Sequence, residues 1–517
     1  MRKVVLVALV AWAATTSWAQ ASKEAKVAKA ETVLRWSFVG TKELGEKKDL
    51  KVFQTIRELP ESAAWRDAAA ANIAERAAKR YTRGANTNAV AQIAEAIKPL
   101  IVDLFAAESR FQMDAAGGEE ADWMLALKLD DKGHGTWGKS LMELTRHTGM
   151  QGAASDKANW VATRDKYKIS FSRRKGWTLI QGGFGAEDSA KAKEFLASLD
   201  KRAGENVFDG VINTPALAKI WSAPQLSHYP KFTLRAEPNG DGLQSELTLE
   251  YPADLGIKTE KWNVPDKIIN EPLVGFTAIQ GVQKKLESLE KFKALGAEQT
   301  PNQIFFWSQG ISPFSVALAA EVKNPRQVVT NAGRMVERMK VPVGNAQLAT
   351  NRTALLWSGL PVVVPYLQPA AEPHSSFVTM GLFPVVGQSD KPAPAELLQQ
   401  LNKKDLVYYD WEITGERLRQ FIPIWQVAHL MGQHYRPVNT TPSGKFLQAL
   451  KQNVGNTVTT GTLENANRIK FVRQSHLGFN ALELVALAHL FDSEDLIDVR
   501  GAEVERPAVP APAPAPK

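Results

Sequence analysis

Asp410 and Glu412 stand two apart in an aromatic run that begins Leu406-Val407-Tyr408-Tyr409 and continues through Trp411. In an extended strand the two acids share one face, with Tyr409 and Trp411 on the other. Neighbouring carboxylates are the acid–base equipment of a glycoside hydrolase. The same alternation describes a half-buried strand whose acids meet solvent and whose aromatics meet the core, and the spacing favours that reading.

A second stretch, Gly133-His134-Gly135-Thr136-Trp137-Gly138-Lys139-Ser140, fits the pattern G-x-x-x-x-G-K-[ST] and resembles a Walker A phosphate loop. That resemblance implies that the backbone around Gly133 and Gly138 surrounds phosphate oxygens, that Lys139 reaches the outer phosphates and that Ser140 ligates magnesium. Asp410, after its apolar run, resembles the partner acid of such a site. Three features oppose this. The chain opens with an export signal into a compartment poor in ATP. A related segment carries Val329, Thr330 and Asn331 where Gly138, Lys139 and Ser140 fall. The downstream strands read as hairpins, whereas a phosphate-loop fold needs parallel strands joined by helices. The alternative is a glycine-containing turn into a helix whose Trp137 faces the core, with no cofactor required.

Other motifs say less. Gly182-Gly183-Phe184-Gly185 lacks a third spaced glycine, and Glu187 and Asp188 at the next helix start would repel a phosphate, so it reads as a flexible turn. H-E-x-x-H and G-x-S-x-G are absent from the sequence. S-x-x-K occurs at Ser172, Ser198 and Ser288 without its companion motifs. His429 and His434 are five apart, which puts them on different helix faces, and no metal site is expected. His489 reads as a satisfied residue of the last helix. Of 14 tryptophans, Trp36, Trp123, Trp137 and Trp425 fall on apolar faces, while Trp160, Trp221 and Trp262 sit in less regular stretches and are ligand candidates.

The elements that must position these residues are legible in outline. Phe314, Val316, Leu318, Ala320 and Val322 alternate with smaller or polar residues as in a strand. Asn324 and Pro325 then open a helix with an apolar stripe at Val328, Val329, Ala332, Met335, Val336 and Met339. The shift that carries Trp123 onto Phe314 also carries Trp137, Leu141 and Leu144 onto Val328, Ala332 and Met335, which suggests an internal repeat. Strand-like segments at 33–39 and 273–279 each lead into a charged helical stretch, at 43–58 and 282–295. Hairpins are expected at 167–180, around Arg173, Arg174 and Lys175 as a solvated turn, and at 346–357. Two more are expected at 232–251, turning at Pro238 to Gly242, and at 457–473. Thr414 begins a helix burying Leu418, Phe421, Ile422 and Trp425, and an apolar helix covers 479–491.

The expected fold class is α+β. Two related halves, 22–255 and 272–495, each carry a mostly antiparallel or mixed sheet covered by helices, and the alanine-rich stretch at about 62–106 is an α-helical insertion in the first half, with Gly84 between its two helices. The link between halves lies near Tyr251 to Pro272. Arg2 and Lys3, the apolar stretch Val4 to Ala14 and small residues before Ala19 or Ala21 make residues 1–21 a secretory signal peptide, too short to span a bilayer. The Pro/Ala run at 501–517 reads as a disordered, polyproline-like tail. With no cysteine, disulfides and zinc-thiolate sites are excluded, and a net charge of +8 without strong clustering is no nucleic-acid footprint. No later segment is apolar enough to cross a membrane. The sequence thus favours an exported, periplasmic or extracellular, non-enzymatic binding or scaffold protein facing an envelope protein or glycan. The alternatives are a paired-carboxylate envelope hydrolase and a phosphate-loop nucleotide-binding protein.

Overall fold

The computed structural model describes residues 31–492 apart from 83–86, 118–119, 148, 155–158, 185–189, 201–205, 291–299, 311, 339–344, 349–353, 359–362, 384–390 and 432–437. Residues 1–21, expected to be a signal peptide, the Pro/Ala run at 501–517, Gly84, Gly185, Glu187, Asp188 and His434 lie outside the described residues.

In chain order β1 (Thr32–Phe38) leads into α1 (Thr41–Leu44), α2 (Lys51–Glu58), α3 (Pro60–Thr82) and α4 (Thr87–Ala106). The hairpin β2 (Ser109–Gly117) and β3 (Glu120–Leu127) precedes α5 (Asp131–His147). Four strands follow, β4 (Gln151–Ala154), β5 (Trp160–Arg164), β6 (Tyr167–Arg174) and β7 (Trp177–Gly183). Next come α6 (Ala190–Ser198), β8 (Phe208–Ile212), α7 (Thr214–Ile220), β9 (Lys231–Asn239) and β10 (Gly242–Glu250). A strand-free connection reaches β11 (Leu273–Gln280), α8 (Gln283–Glu287), β12 (Gln303–Gln309), β13 (Val316–Glu321) and α9 (Pro325–Arg338). Then follow β14 (Asn345–Leu348), β15 (Leu355–Ser358), β16 (Tyr366–Pro369), β17 (Phe377–Gly381), α10 (Ala395–Gln399) and β18 (Leu406–Ile413). The described chain closes with α11 (Thr414–Met431), α12 (Pro442–Leu450), β19 (Asn456–Asn465), β20 (Arg468–Ser475) and α13 (Ala481–Asp492).

Among the described residues 20 strands form one sheet in which every pairing is antiparallel. From edge to edge the order is β4-β5-β6-β7-β3-β2-β1-β8-β9-β10, then β20-β19-β18-β11-β12-β13-β17-β16-β15-β14. The fold is therefore α+β, with helices over a large antiparallel sheet. No helix among the described residues is long and apolar enough to cross a membrane.

Local chemistry sets the element ends. Asn324 Oδ1 accepts the N–H of Gln327 at 3.2 Å, so α9 starts at Pro325 with a capped first turn. Its strand β13 begins only at Val316, which leaves Phe314 before the ladder. Lys175 and Gly176 both take positive φ between β6 and β7, the backbone of a tight two-residue turn. Gly240 does the same between β9 and β10. Of the 282–295 stretch, the described residues place the short α8 and a return to helix at Glu290.

One large core packs β1, β2 and β3 under α4 and α5. Trp36 stacks on Phe111 at 4.3 Å between centroids, and Trp123, Ile93, Ile97, Ile101, Trp137 and Leu144 complete it. A second core surrounds Phe276, Phe305, Phe377 and Tyr409 beneath α10. The third joins Leu418, Ile422 and Trp425 of α11 to α12 and α13. Leu482, expected inside, is exposed, because α13 buries the Ala481, Leu484 and Ala488 stripe instead. Phe306 and Met380, both cross-strand partners of Leu318, stay nearly half exposed, since α9 covers only the Val322 and Val378 end of that face.

Candidate functional site

Strand β18 lies inside the sheet, paired with β11 on one side and β19 on the other. Its alternation holds: Asp410 and Glu412 share one face, Tyr409 and Trp411 the opposite one. The expectation that the acids meet solvent is corrected. Asp410 is 8% and Glu412 5% exposed, because their face of the sheet is roofed by α11 and α13.

The acids belong to two polar rows that cross the sheet. Thr277, Asp410, Thr459 and Arg473 are successive partners in one row, and Gly275, Glu412 and Thr457 in the next. Asp410 Oδ1 accepts the Thr277 hydroxyl at 2.6 Å, while its Oδ2 is buried with no hydrogen-bond partner. Glu412 Oε1 accepts the N–H of Ala481 at 2.7 Å, one of the orphan donors that open α13. Asn480 and Glu483 satisfy others reciprocally: Asn480 Oδ1 accepts Glu483 N at 2.9 Å and Glu483 Oε2 accepts Asn480 N at 3.1 Å. This is a capping box. Arg473 ties it to the sheet through an ion pair with Glu483 and a 2.9 Å bond to Thr459 Oγ1.

Arg417 of α11 supplies the facing positive charge. Its guanidinium bonds Gln420 and lies 4.3 Å from the Phe421 ring centroid, and Gln420 Nε2 donates to the Gly310 carbonyl at 2.8 Å. Gly275 leaves room for it: a Cβ there would come within 3.2 Å of Arg417 Cδ and of Ser308 Oγ. Burial raises the Asp410 carboxyl above its ordinary range and pushes Glu412 up to about 7, against the pull of the Ala481 N–H and Arg417. Burial also lowers the Arg417 guanidinium, which Glu412 and Asp410 oppose. Chemically the cluster buries two carboxyls whose neutral forms burial favours, and it anchors a helix terminus.

On the other face of β18 Tyr409 is buried in the second core, while Trp411 is only partly covered. A groove of about 540 Å³ runs over Tyr409, Trp411, Val458, Thr460, Val472 and Gln474, with Pro394, Glu396, Leu397, Gln400 and Lys403 along its α10 side. Tyr409 is pushed up to about 12, first by burial and then by Asp410. Thus the structure brings Asp410 and Glu412 together but turns both away from the groove.

The Gly133–Ser140 stretch has a different conformation from a phosphate loop. All of it lies inside α5, where Asp130 Oδ1 accepts the N–H of Gly133 at 2.7 Å and its carbonyl accepts His134 N at 2.9 Å. The amides that would face a phosphate are committed to the helix. Gly138 passes over Phe171, Lys139 is exposed and Ser140 is buried. Asp410 is far along the sheet order, its strand β18 separated from β3 by seven intervening strands of that order.

The remaining candidates also resolve. Trp160 and Trp221 are buried in the first core, which removes them as ligand platforms, and Trp262 packs edge-on against Phe305 at 5.8 Å. Arg173, expected in a solvated turn, is the penultimate residue of β6 and pairs with Asp131. The side chain of His429 lies outside the described residues, as does His434, and no cluster of metal-ligating residues occurs among the described ones. Arg417, Arg473 and Glu483 were not singled out by the sequence. The N-x-x-E pattern at Asn480 to Glu483, just before an apolar run, was the signal for a helix start there. No protein-family model, curated protein sequence or solved structure matches the chain.

Proposed function

We propose that the chain is an exported, non-enzymatic binding protein of the cell envelope that presents the groove beside α10 to an envelope or extracellular protein or glycan. The observation that carries this reading is the opposition across β18. Under a helical roof Glu412 holds the α13 terminus and Asp410 is bonded to Thr277, while Trp411 on the opposite face lines the groove. A hydrolase using Asp410 and Glu412 needs substrate within hydrogen-bond reach of both, and a nucleotide-binding loop needs free amides where α5 has none to spare.

The reading includes two related halves, 22–255 and 272–495, with α3 and α4 as an insertion in the first. What supports it is the strand order, which runs β4-β5-β6-β7-β3-β2-β1-β8-β9-β10 from one edge and β14-β15-β16-β17-β13-β12-β11-β18-β19-β20 from the other. Export is tested by sequencing the N-terminus of the secreted chain, with cleavage expected after Ala19 or Ala21. For the absence of catalysis, the mature chain is assayed on a panel of fluorogenic glycosides beside an Asp410→Asn, Glu412→Gln double variant. Equal background in both is expected. Turnover abolished in the variant would overturn the reading.

A further inference from the structure

We infer that the groove on the Tyr409 and Trp411 face of β18 takes a neutral saccharide, an inference that rests on the binding reading above. Five lining side chains that keep accessible surface, Trp411, Thr460, Gln400, Glu396 and Lys403, have no side-chain hydrogen bond or ion pair with any described residue. Polar groups of a folded protein that cluster in a concavity without internal partners are the ones a ligand can engage. The volume of about 540 Å³ is that of a small-ligand site.

The groove excludes two other classes. A peptide bound by strand addition is held by backbone pairing to a free strand edge. Here β18, β19 and β20 are each paired on both sides, so the floor has no free edge. An anion needs a surplus of positive charge, and the lining has one base, Lys403, against one acid, Glu396.

What remains matches a sugar. A pyranose ring presents C–H bonds on its faces and hydroxyls around its rim. The indole of Trp411 with Val458 and Val472 offers an apolar platform for the former, and the indole N–H can also donate. Gln400, Thr460, Glu396 and Lys403 offer both donors and acceptors for the latter.

The test is a glycan array of neutral glucans, chitin-type and peptidoglycan-derived oligosaccharides probed with the mature chain, followed by titration of the best hit with tryptophan fluorescence. Inorganic phosphate and an unstructured neutral peptide are titrated in parallel. We expect a neutral oligosaccharide to bind, and Trp411→Ala to weaken it by roughly tenfold or more. A Gln400→Ala, Lys403→Ala variant on the groove's α10 side should weaken it as well, which keeps the test decisive if Trp411→Ala misfolds. Saccharide binding unchanged in both variants, or no saccharide binding at all, overturns the inference. Trp411-dependent binding of the peptide or phosphate instead would sink the saccharide assignment and keep the binding reading, whereas no binding to any probe would remove both.

Discussion

At Glu412 two effects oppose each other. Burial penalises its charged form, while the Ala481 N–H and the α13 terminus favour it, and burial wins, raising the group from 4.5 to about 7. The folded chain therefore holds this proton to higher pH than the unfolded chain does. Between pH 4.5 and about 7 the native state binds more protons, so stability falls as pH rises through that window and levels off above it. The shift corresponds to on the order of 3 kcal/mol. We expect thermal melts of Glu412→Gln, which keeps an acceptor for Ala481, to show a shallower pH slope than the natural chain and a higher melting temperature above pH 7. Matching slopes would refute the sealed carboxyl. Asp410 is raised in the same direction and leaves a residual slope in the variant. Among the described residues the only hydrogen bond to its carboxyl comes from Thr277, so Thr277→Val strands a buried carboxyl and should cost about 1–3 kcal/mol in urea denaturation. The pairing of these acids was legible from their spacing. Which face was covered was not, because the roof, α13, lies some 70 residues farther along the chain, and alternation alone does not say which side another element will occupy.

Helix starts show where local signals decide and where they mislead. Asp130 caps α5 through Gly133, the residue that also opens the Walker-like pattern. The regular expression and the cap compete for the same amides, and the helix satisfies more of them. Lys139 is then a solvent-facing residue on α5. We expect Lys139→Ala to melt within about 1 °C of the natural chain, and magnesium-ATP to shift neither protein. An ATP-dependent rise lost in the variant would restore the phosphate loop. At α13 the cap is shared between Asn480, Glu483 and Glu412, so Asn480→Ala should cost about 1 kcal/mol, read by denaturant titration. No change would mean that Glu412 alone suffices. The turns between β6 and β7 and between β9 and β10 were legible, since Gly176 and Gly240, both at positive φ, carry their own conformational preference. The start of β13 was harder to place: Phe314 keeps the alternation going beyond the point where the β12 ladder begins at Val316, so period alone overruns the strand.

On the scale of the whole molecule, the strands that follow β1 and those that follow β11 meet at a single ladder, β10 against β20, with Leu243 opposite Ser475 and Glu250 opposite Arg468. A second link lies among the helices. Trp65 of α3 stacks on Phe446 of α12 with centroids 4.4 Å apart and planes within 6°. Arg76, also on α3, is 5% exposed and donates to the Leu490 carbonyl at 2.7 Å and the Phe491 carbonyl at 3.4 Å, while Asn72 reaches the same Phe491 carbonyl at 3.0 Å. These carbonyls are the unsatisfied end of α13, where a positive charge is also favoured by the helix dipole. α3 thus closes the far end of the helix whose near end is held by Glu412. Arg76→Ala removes a charged donor and leaves buried carbonyls without it, which should lower stability by about 2–3 kcal/mol. The distinctive consequence is where the loosening shows. Hydrogen exchange should quicken in the last turns of α13 as well as in α3, although more than 400 residues separate them in sequence. If only the α3 amides lose protection, Arg76 does not hold the end of α13, and the link rests on the Trp65–Phe446 stack and the β10–β20 ladder.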